Sequence, residues 1–403
     1  MVLLKKYKEK IFIIGGGLSG SECAYQLARA GYFVELYEMR PKKMTPIHKT
    51  GLLAELVCSN SLKSMDKKSA TGILKEELKN ENSLLINCAL KTQVPAGKAL
   101  AVDRIKFSKL ATEILENEKN IKIIRKEVKK ILDGVVGIAT GPLTSKSLEE
   151  EISNYVDFGL YFYDAIAPIV LKDSLNLSKM FWGSRYGEGD DYLNLPLTKE
   201  EYYKFIEELK KAETVEPHKF EKEIFFEGCL PIEEMAKRGP DTLSFGPLKP
   251  VGLKTDAYAV IQMRKEDLDG NFLNLVGFQT RLKFSEQKRV FKTLPGFENL
   301  KIIRYGQVHR NTYINSPIHL SSDFSLKKKP AIFLMGQITG VEGYVECIAT
   351  GLLCAKSIIQ RLKGEPFFLP EKGTALRAII DYLTKSNPKN FQPSNINFAI
   401  LKK

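Results

Sequence analysis

The strongest constraint on this chain is three glycines, Gly15, Gly17 and Gly20, spaced GxGxxG between a short apolar run, Ile11 to Ile14, and a segment with helical apolar spacing, Leu18 to Ala30. Glycine there permits a tight turn, close approach of backbone to a pyrophosphate, and close packing of helix on strand. Gly31 fits a helix C-cap, and Phe33 to Tyr37 reads as a second strand. Glu38 closes that strand, where a carboxylate can accept the hydroxyls of an adenosine ribose. The pattern predicts a βαβ unit that binds a dinucleotide. GxGxxG by itself is a weak signal, and its context supplies the specificity.

A second glycine-rich segment, Gly336 to Gly343 (GQITGVEG), follows the apolar strand Ala331 to Met335 and precedes the helical pattern Tyr344 to Leu362. A helix N-terminus so placed can face a flavin or its phosphates, which favours FAD over NAD. The Ala139-Thr140-Gly141 turn after the strand pattern Val135 to Thr140 is compatible with a two-domain flavoprotein and equally with an ordinary strand end. Between these ends a helix is expected over Asp103 to Glu118 and a strand over Ile121 to Arg125, whereas Pro41 to Ser64 reads as irregular. From about Thr144 to Phe324 the alternation of strand and helix is lost among Pro-, Tyr- and Phe-rich loops. The expected architecture is therefore α/β: a Rossmann-type FAD-binding domain built from 1–143 and 325–403, with an α+β domain, 144–324, inserted as the RNA or substrate domain.

Composition narrows the function classes. The 403 residues, 43% hydrophobic, suffice for two domains, and no apolar run reaches membrane-spanning length. Lys5, Lys6, Lys8 and Lys10 lead straight into a strand without a cleavable apolar core, so a cytoplasmic location is expected. The six cysteines lack CxxC spacing, which argues against a zinc site or a disulfide framework, and no metal is expected. Cys58 and Cys229 lie where apolar runs meet small or turn-forming residues and could expose a thiol, whereas Cys23, Cys347 and Cys354 fall on helical patterns. The formal charge of +13 suits a polyanionic partner, but only 13 of the 61 basic residues are Arg, a bias that genome composition can produce as well. Three basic stretches interleave with aromatics or prolines: Lys237 to Arg238 with Lys249, Arg281 to Lys292, and Arg304 to Arg310. Such stretches suit an RNA with an exposed base, or are simply solvated faces.

Over nearly its whole length the chain resembles the folate- and FAD-dependent tRNA (uracil-5-)-methyltransferases, the TrmFO family. The resemblance is carried by GGGLSGSE at Gly15, LYEMRP at Leu36, AELVCSNSLKS at Ala54, PAGKALAVDR at Pro95, ATGPLTS at Ala139, LYFYDAIAPIV at Leu160 and SRYGEGDDYLN at Ser184. It continues through the long segment from Phe226, GFQTRLKFSEQKRVF at Gly277, HRNTYINSP at His309 and GQITGVEGYVECIATG at Gly336. It implies that methylenetetrahydrofolate gives a one-carbon unit to reduced FAD, which passes it to C5 of a uridine, with NADH or NADPH as reductant. By the same resemblance Cys229 is the nucleophile and Cys58 the proton acceptor, and Gly15, Gly16, Gly17, Leu18, Ser19, Gly20, Glu38, Gly141, Gly336, Glu342 and Tyr344 serve the cofactor. The expected substrate is the T-loop uridine, position 54, of tRNA. Family members usually continue beyond a segment like Asn390 to Phe398, so the ending at Lys403 leaves a 23S ribosomal-RNA uridine as an alternative. A flavin-bearing RNA-binding protein without methyltransferase activity is another, and a homodimer is compatible with the pattern.

Overall fold

The computed structural model describes residues 10–215 and 229–401, apart from the side chains of residues 158 and 159. Ile11–Ile14 forms strand β1, Leu18–Arg29 helix α1 and Val34–Glu38 strand β2, in the order the glycine spacing predicts. β1 pairs in parallel with β2 on one side and with Val135–Ile138 on the other. Ile121–Arg125 extends the sheet beyond β2, and Lys329–Leu334 extends it beyond Val135–Ile138, carrying the antiparallel edge Ser325–Leu326. A mostly parallel sheet needs both faces covered, and β1 accordingly has no exposed residue. Ile11, Ile13, Val34 and Leu36 pack with α1 and the helix Tyr344–Lys363 on one face, while Phe12, Ile14, Val136 and Ile138 pack with Leu148, Ile152 and Ile314 on the other.

The close crossing of α1 and the helix Tyr344–Lys363 depends on small residues. A Cβ on Gly351 would fall 2.3 Å from the Ser19 carbonyl oxygen, so only glycine allows this approach.

The stretch from Pro41 to Ser64 is largely loop, ending in a short strand, Ser61–Ser64. The polar segment after it resolves into two helices, Ala70–Asn80 and Leu84–Lys91, broken where Asn82 turns to φ 57° and Ser83 caps the second helix by accepting from the Ile86 amide. The loss of simple alternation after residue 144 reflects a change of sheet type. Ile169–Leu171, Phe181–Trp182, Tyr192–Leu197, Ala259–Lys265, Phe272–Leu275 and Ile302–Arg304 form a six-stranded antiparallel sheet. Leu193, Leu195, Ile261 and Met263 from this sheet pack with Phe205 and Ile206 of the helix Lys199–Lys211 and with Phe278 and Phe291. That helix starts sharply because Thr198 and Glu201 form a reciprocal capping box. A two-stranded ribbon, Phe158–Ile166 paired with Gln307–Ile314, runs between the two bodies. Its Phe162 and Tyr313 belong to the apolar core of the parallel sheet. No helix among the described residues is long and apolar enough to cross a membrane.

Candidate active site

Gly15 lies in the left-handed region (φ 105°), and a Cβ there would meet the Ala139 carbonyl oxygen at 2.4 Å. At Gly20 a Cβ would lie 1.9 Å from the Gly15 carbonyl oxygen, so this glycine lets α1 start directly against the turn. Gly17, by contrast, has open space where its side chain would be. The opening is one wall of a cleft lined by Gly15, Gly17, Leu18, Ser19, Glu38 and Gly141, and farther along by Gln337, Tyr344 and Cys347. The open backbone at the start of a helix fits a pyrophosphate.

The remaining cofactor candidates shape this cleft from behind. The Gly16 amide donates to Glu38 Oε2 at 3.0 Å, and Gly336 packs so closely that a Cβ would touch Ser19 Oγ. Glu342 does not line the cleft wall; its Oε2 accepts from Gln337 Nε2 at 2.5 Å. Glu38 is more committed than the sequence suggests. Oε1 accepts from the Arg40 amide and Nε, at 2.9 and 3.0 Å, and Oε2 accepts from Arg40 Nη2 at 3.0 Å in addition to Gly16. Burial alone would raise this carboxyl, but Arg40 outweighs it and holds Glu38 below the usual carboxylate range. With four donors on its two oxygens, Glu38 anchors the turn, and contact with a ribose would require sharing these bonds. Arg40 also bonds Glu55 at 2.8 Å, latching the Pro41 to Ser64 loop over the cleft. Nothing in local sequence pattern announces that role for Arg40.

Beyond Val57 and Tyr344 of the cleft wall, Cys58 and Cys229 lie close enough for each thiol to act on the other. The neighbouring Cys58 thiol and then burial push the Cys229 thiol well up, and the Asp164 carboxyl adds to the effect. Tyr344, whose ring lines the cleft, ties the pair to the cofactor side. Its hydroxyl accepts from the Cys58 amide at 2.7 Å and donates to the Ser59 carbonyl at 3.0 Å. Arg104 donates to the Leu56 and Cys58 carbonyls, both at 2.9 Å, and Arg304 donates to the Val57 carbonyl. Residues 226–228 of the segment leading to Cys229 lie outside the described residues.

The ribbon face that carries Phe162 and Tyr313 also carries a polar cluster beside this pair. Asp164 and His309 are directly opposite in register, with Nε2 to Oδ2 at 3.7 Å and each side chain 8% exposed. Asp164 Oδ1, His309 Nδ1 and both amide atoms of Asn311, two residues along on the same face, are buried without a partner among the described residues. Burial holds His309 below the ordinary histidine range, against the opposing pull of Asp164. Glu342 is pushed well up, first by burial and then by Asp164. Unsatisfied buried polar atoms cost ~1–3 kcal/mol each, so a cluster of them marks a place where a polar ligand or water restores what folding removed. These ribbon residues escape sequence reasoning because strand alternation alone does not say which face meets a site.

The basic stretches are less free than their charge implies. Lys237 and Arg281 pair with Glu234 at 3.0 and 2.7 Å, Lys283 with Glu213 at 2.5 Å, and Arg289 with Glu286 at 2.8 Å and with Glu208. Arg310 stacks over Tyr161 at 4.3 Å. Much of the positive charge in the expected RNA-facing segments is thus neutralised within the fold. Cys347, which falls on a helical pattern, lines the cleft, whereas Cys23 and Cys354 are buried. Among the described residues no cluster of His, Cys, Asp and Glu could hold a metal ion.

The family model described as Glucose inhibited division protein A matches residues 10–366. Among curated relatives, methylenetetrahydrofolate--tRNA-(uracil-5-)-methyltransferase TrmFO of Natranaerobius thermophilus is 53% identical over 401 residues, covering 97% of this chain and 92% of that protein. The TrmFO of Aquifex aeolicus is 54% identical over 402 residues, covering 98% and 90%. The chain belongs to the TrmFO family. The solved structure of Aquifex aeolicus GidA shares its fold, with a TM-score of 0.72 at 16% identity over 94% of this chain and 68% of that one.

Proposed function

We propose that this TrmFO protein methylates C5 of a uridine in tRNA, taking the carbon from methylenetetrahydrofolate, with FAD held along β1, α1 and β2 and NADH or NADPH as reductant. The observation that carries the reading is the meeting of Cys58 and Cys229, distant in sequence, beside the Tyr344 end of a dinucleotide cleft. The open backbone at Gly17 and the cleft running from Glu38 to Tyr344 fit FAD, which when bound relays the carbon and the electrons that make it a methyl group.

The chain's own residues prepare the base. Uracil C5 is a poor nucleophile, and addition of the Cys229 sulfur at C6 moves the C5=C6 electron pair toward C5 and O4. Because the Cys229 thiol is pushed up, its proton must leave to solvent as the S–C6 bond forms, so that Cys58 stays free to serve as a base later. Once C5 has taken the carbon, a base removes the C5 proton and the C6–S bond breaks, releasing Cys229. We assign that base to Cys58. The unpartnered atoms of Asp164, His309 and Asn311 support placement of the uracil ring on the adjoining ribbon face. On this reading residues 1–143 with 325–403 hold the cofactor, 144–324 receive the RNA, and the enzyme works in the cytoplasm.

The test is turnover by the purified protein with labelled methylenetetrahydrofolate, either nicotinamide and unmodified tRNA, with nucleosides identified by mass spectrometry. Labelled 5-methyluridine that requires both cysteines supports the reading. A colourless protein, or label that never reaches uridine, sinks it.

A further inference from the structure

Cys58 sits on a loop whose backbone is held almost entirely by side chains from elsewhere. Arg104, the first residue of the helix Arg104–Glu116, bridges two carbonyls of this loop, Leu56 and Cys58, at 2.9 Å each. Its remaining donors form a fork on Glu266, Nε to Oε2 at 3.0 Å and Nη2 to Oε1 at 3.2 Å. Arg304, at the end of the strand Ile302–Arg304, takes the intervening Val57 carbonyl. Tyr344 bonds the Cys58 amide and the Ser59 carbonyl. Every peptide unit from Leu56 to Ser59 is thereby gripped by one of three side chains.

Arg304, and Glu266 that holds Arg104, come from the 144–324 segment, which also carries Cys229, whereas Arg104 and Cys58 come from the body that forms the dinucleotide cleft. The Arg104–Glu266 pair is enclosed, with side chains 11% and 5% exposed. A buried fork of this kind is a weak source of stability but a strong source of geometric definition. Secondary structure does not set the loop, so its position relative to Cys229 is left to these bonds.

We propose that Arg104 and Arg304 are positioning residues that fix the Cys58 thiol against Cys229 across the two bodies of the protein, with Glu266 orienting Arg104. The proposal rests on the two-cysteine reading above. It assigns to the arginines no contact with substrate and no proton. Guanidinium is required at Arg104 because a lysine ammonium cannot serve two carbonyls and a carboxylate in one plane.

The test reads the thiol pair directly as well as turnover. FAD-loaded enzyme is treated with diamide, which takes two electrons and two protons from the thiols as the Cys58–Cys229 bond forms, and cross-linking is followed by mass spectrometry. Wild type should cross-link quickly, and Arg104→Ala and Arg304→Ala should slow it roughly tenfold or more, since the effective concentration of held groups collapses when they are released. In the same variants kcat should fall by about 10²-fold while KM for tRNA and bound flavin per chain stay near wild type. If Arg104→Ala does not fold, Arg104→Lys and Glu266→Gln carry the test, and both should lose kcat while bound flavin per chain is kept. Variants that cross-link and turn over like wild type overturn the proposal, as does a wild type that fails to cross-link. Full turnover in Cys58→Ala would instead overturn the two-cysteine reading, while the cross-linking rates would still report whether the arginines hold the loop.

Discussion

The two ends of the proposed site are built by opposite strategies. The dinucleotide end comes from one continuous stretch, β1 to β2, where the glycines meet their neighbours within a single βαβ unit. The thiol end gathers Cys58, Arg104, Asp164, Cys229, Glu266, Arg304, His309 and Tyr344 from loops, strands and helices across the chain. A local site tolerates change elsewhere but not within its turn. A site of distributed parts survives loss of a flank but depends on each cross-link that sets distance, which is the expected division when binding and bond-making are carried by different regions.

Substitution of the cysteines should break the comparison most sharply. Cys229→Ala and Cys58→Ala are each expected to lower 5-methyluridine formation by about 10³-fold or more, with the protein still yellow, measured as turnover against flavin absorbance. Loss of flavin in either variant would show that the two ends are not separable. Next in size is Gly20→Ala at the local end. Its Cβ would enter the space of the Gly15 carbonyl oxygen, so α1 must shift, and loss of bound FAD with a destabilisation of roughly 2–3 kcal/mol should appear in flavin content and urea unfolding.

A smaller effect is expected from Asn60→Ala, beside the cysteine loop. Asn60 bonds the Val102 carbonyl at 3.0 Å, the Lys265 carbonyl at 2.9 Å and Arg264 Nε at 2.9 Å, and removing it strands buried groups at a cost of about 1–3 kcal/mol. Unfolding by urea checks the loss, and kcat should fall while flavin remains. The pH dependence sharpens the same contrast. Because the Cys229 thiol is raised, deprotonation-limited turnover should climb with pH through the ordinary thiol range without levelling there, while flavin binding should stay flat across that range. A plateau in turnover near neutrality would place the limiting proton elsewhere. The smallest change should follow Lys283→Ala. Its exposed pair with Glu213 contributes less than ~0.5 kcal/mol, so melting temperature should barely move; a reduced salt dependence of tRNA binding would show that this lysine nonetheless meets phosphate.

The sequence was most legible where structure is local. Gly15, Gly17 and Gly20 between an apolar run and a helical pattern identify β1, α1 and β2, and Ser83 and Asn82 explain why a polar stretch splits into two helices. The stretch from Thr144 to Phe324 was less legible because antiparallel strands joined by long excursions leave no regular alternation. Family resemblance singled out Cys58 and Cys229, and neither spacing nor composition could have paired them. Arg104 and Arg304 look like ordinary basic residues in the chain, and Arg304 falls in a stretch that reads as RNA-facing; only packing turns both inward onto the Cys58 loop.

By itself the sequence determined the βαβ unit and the apolar pattern of its sheet, since steric limits at glycine and the period of side chains act over a few residues. The tertiary structure decided that Glu38 is shared with Arg40, that Asp164 and His309 face each other, and that two distant thiols meet. Those outcomes depend on which surfaces two packed bodies bring within hydrogen-bonding distance, and contacts of that kind are fixed by the closing of the fold, not by neighbours along the chain.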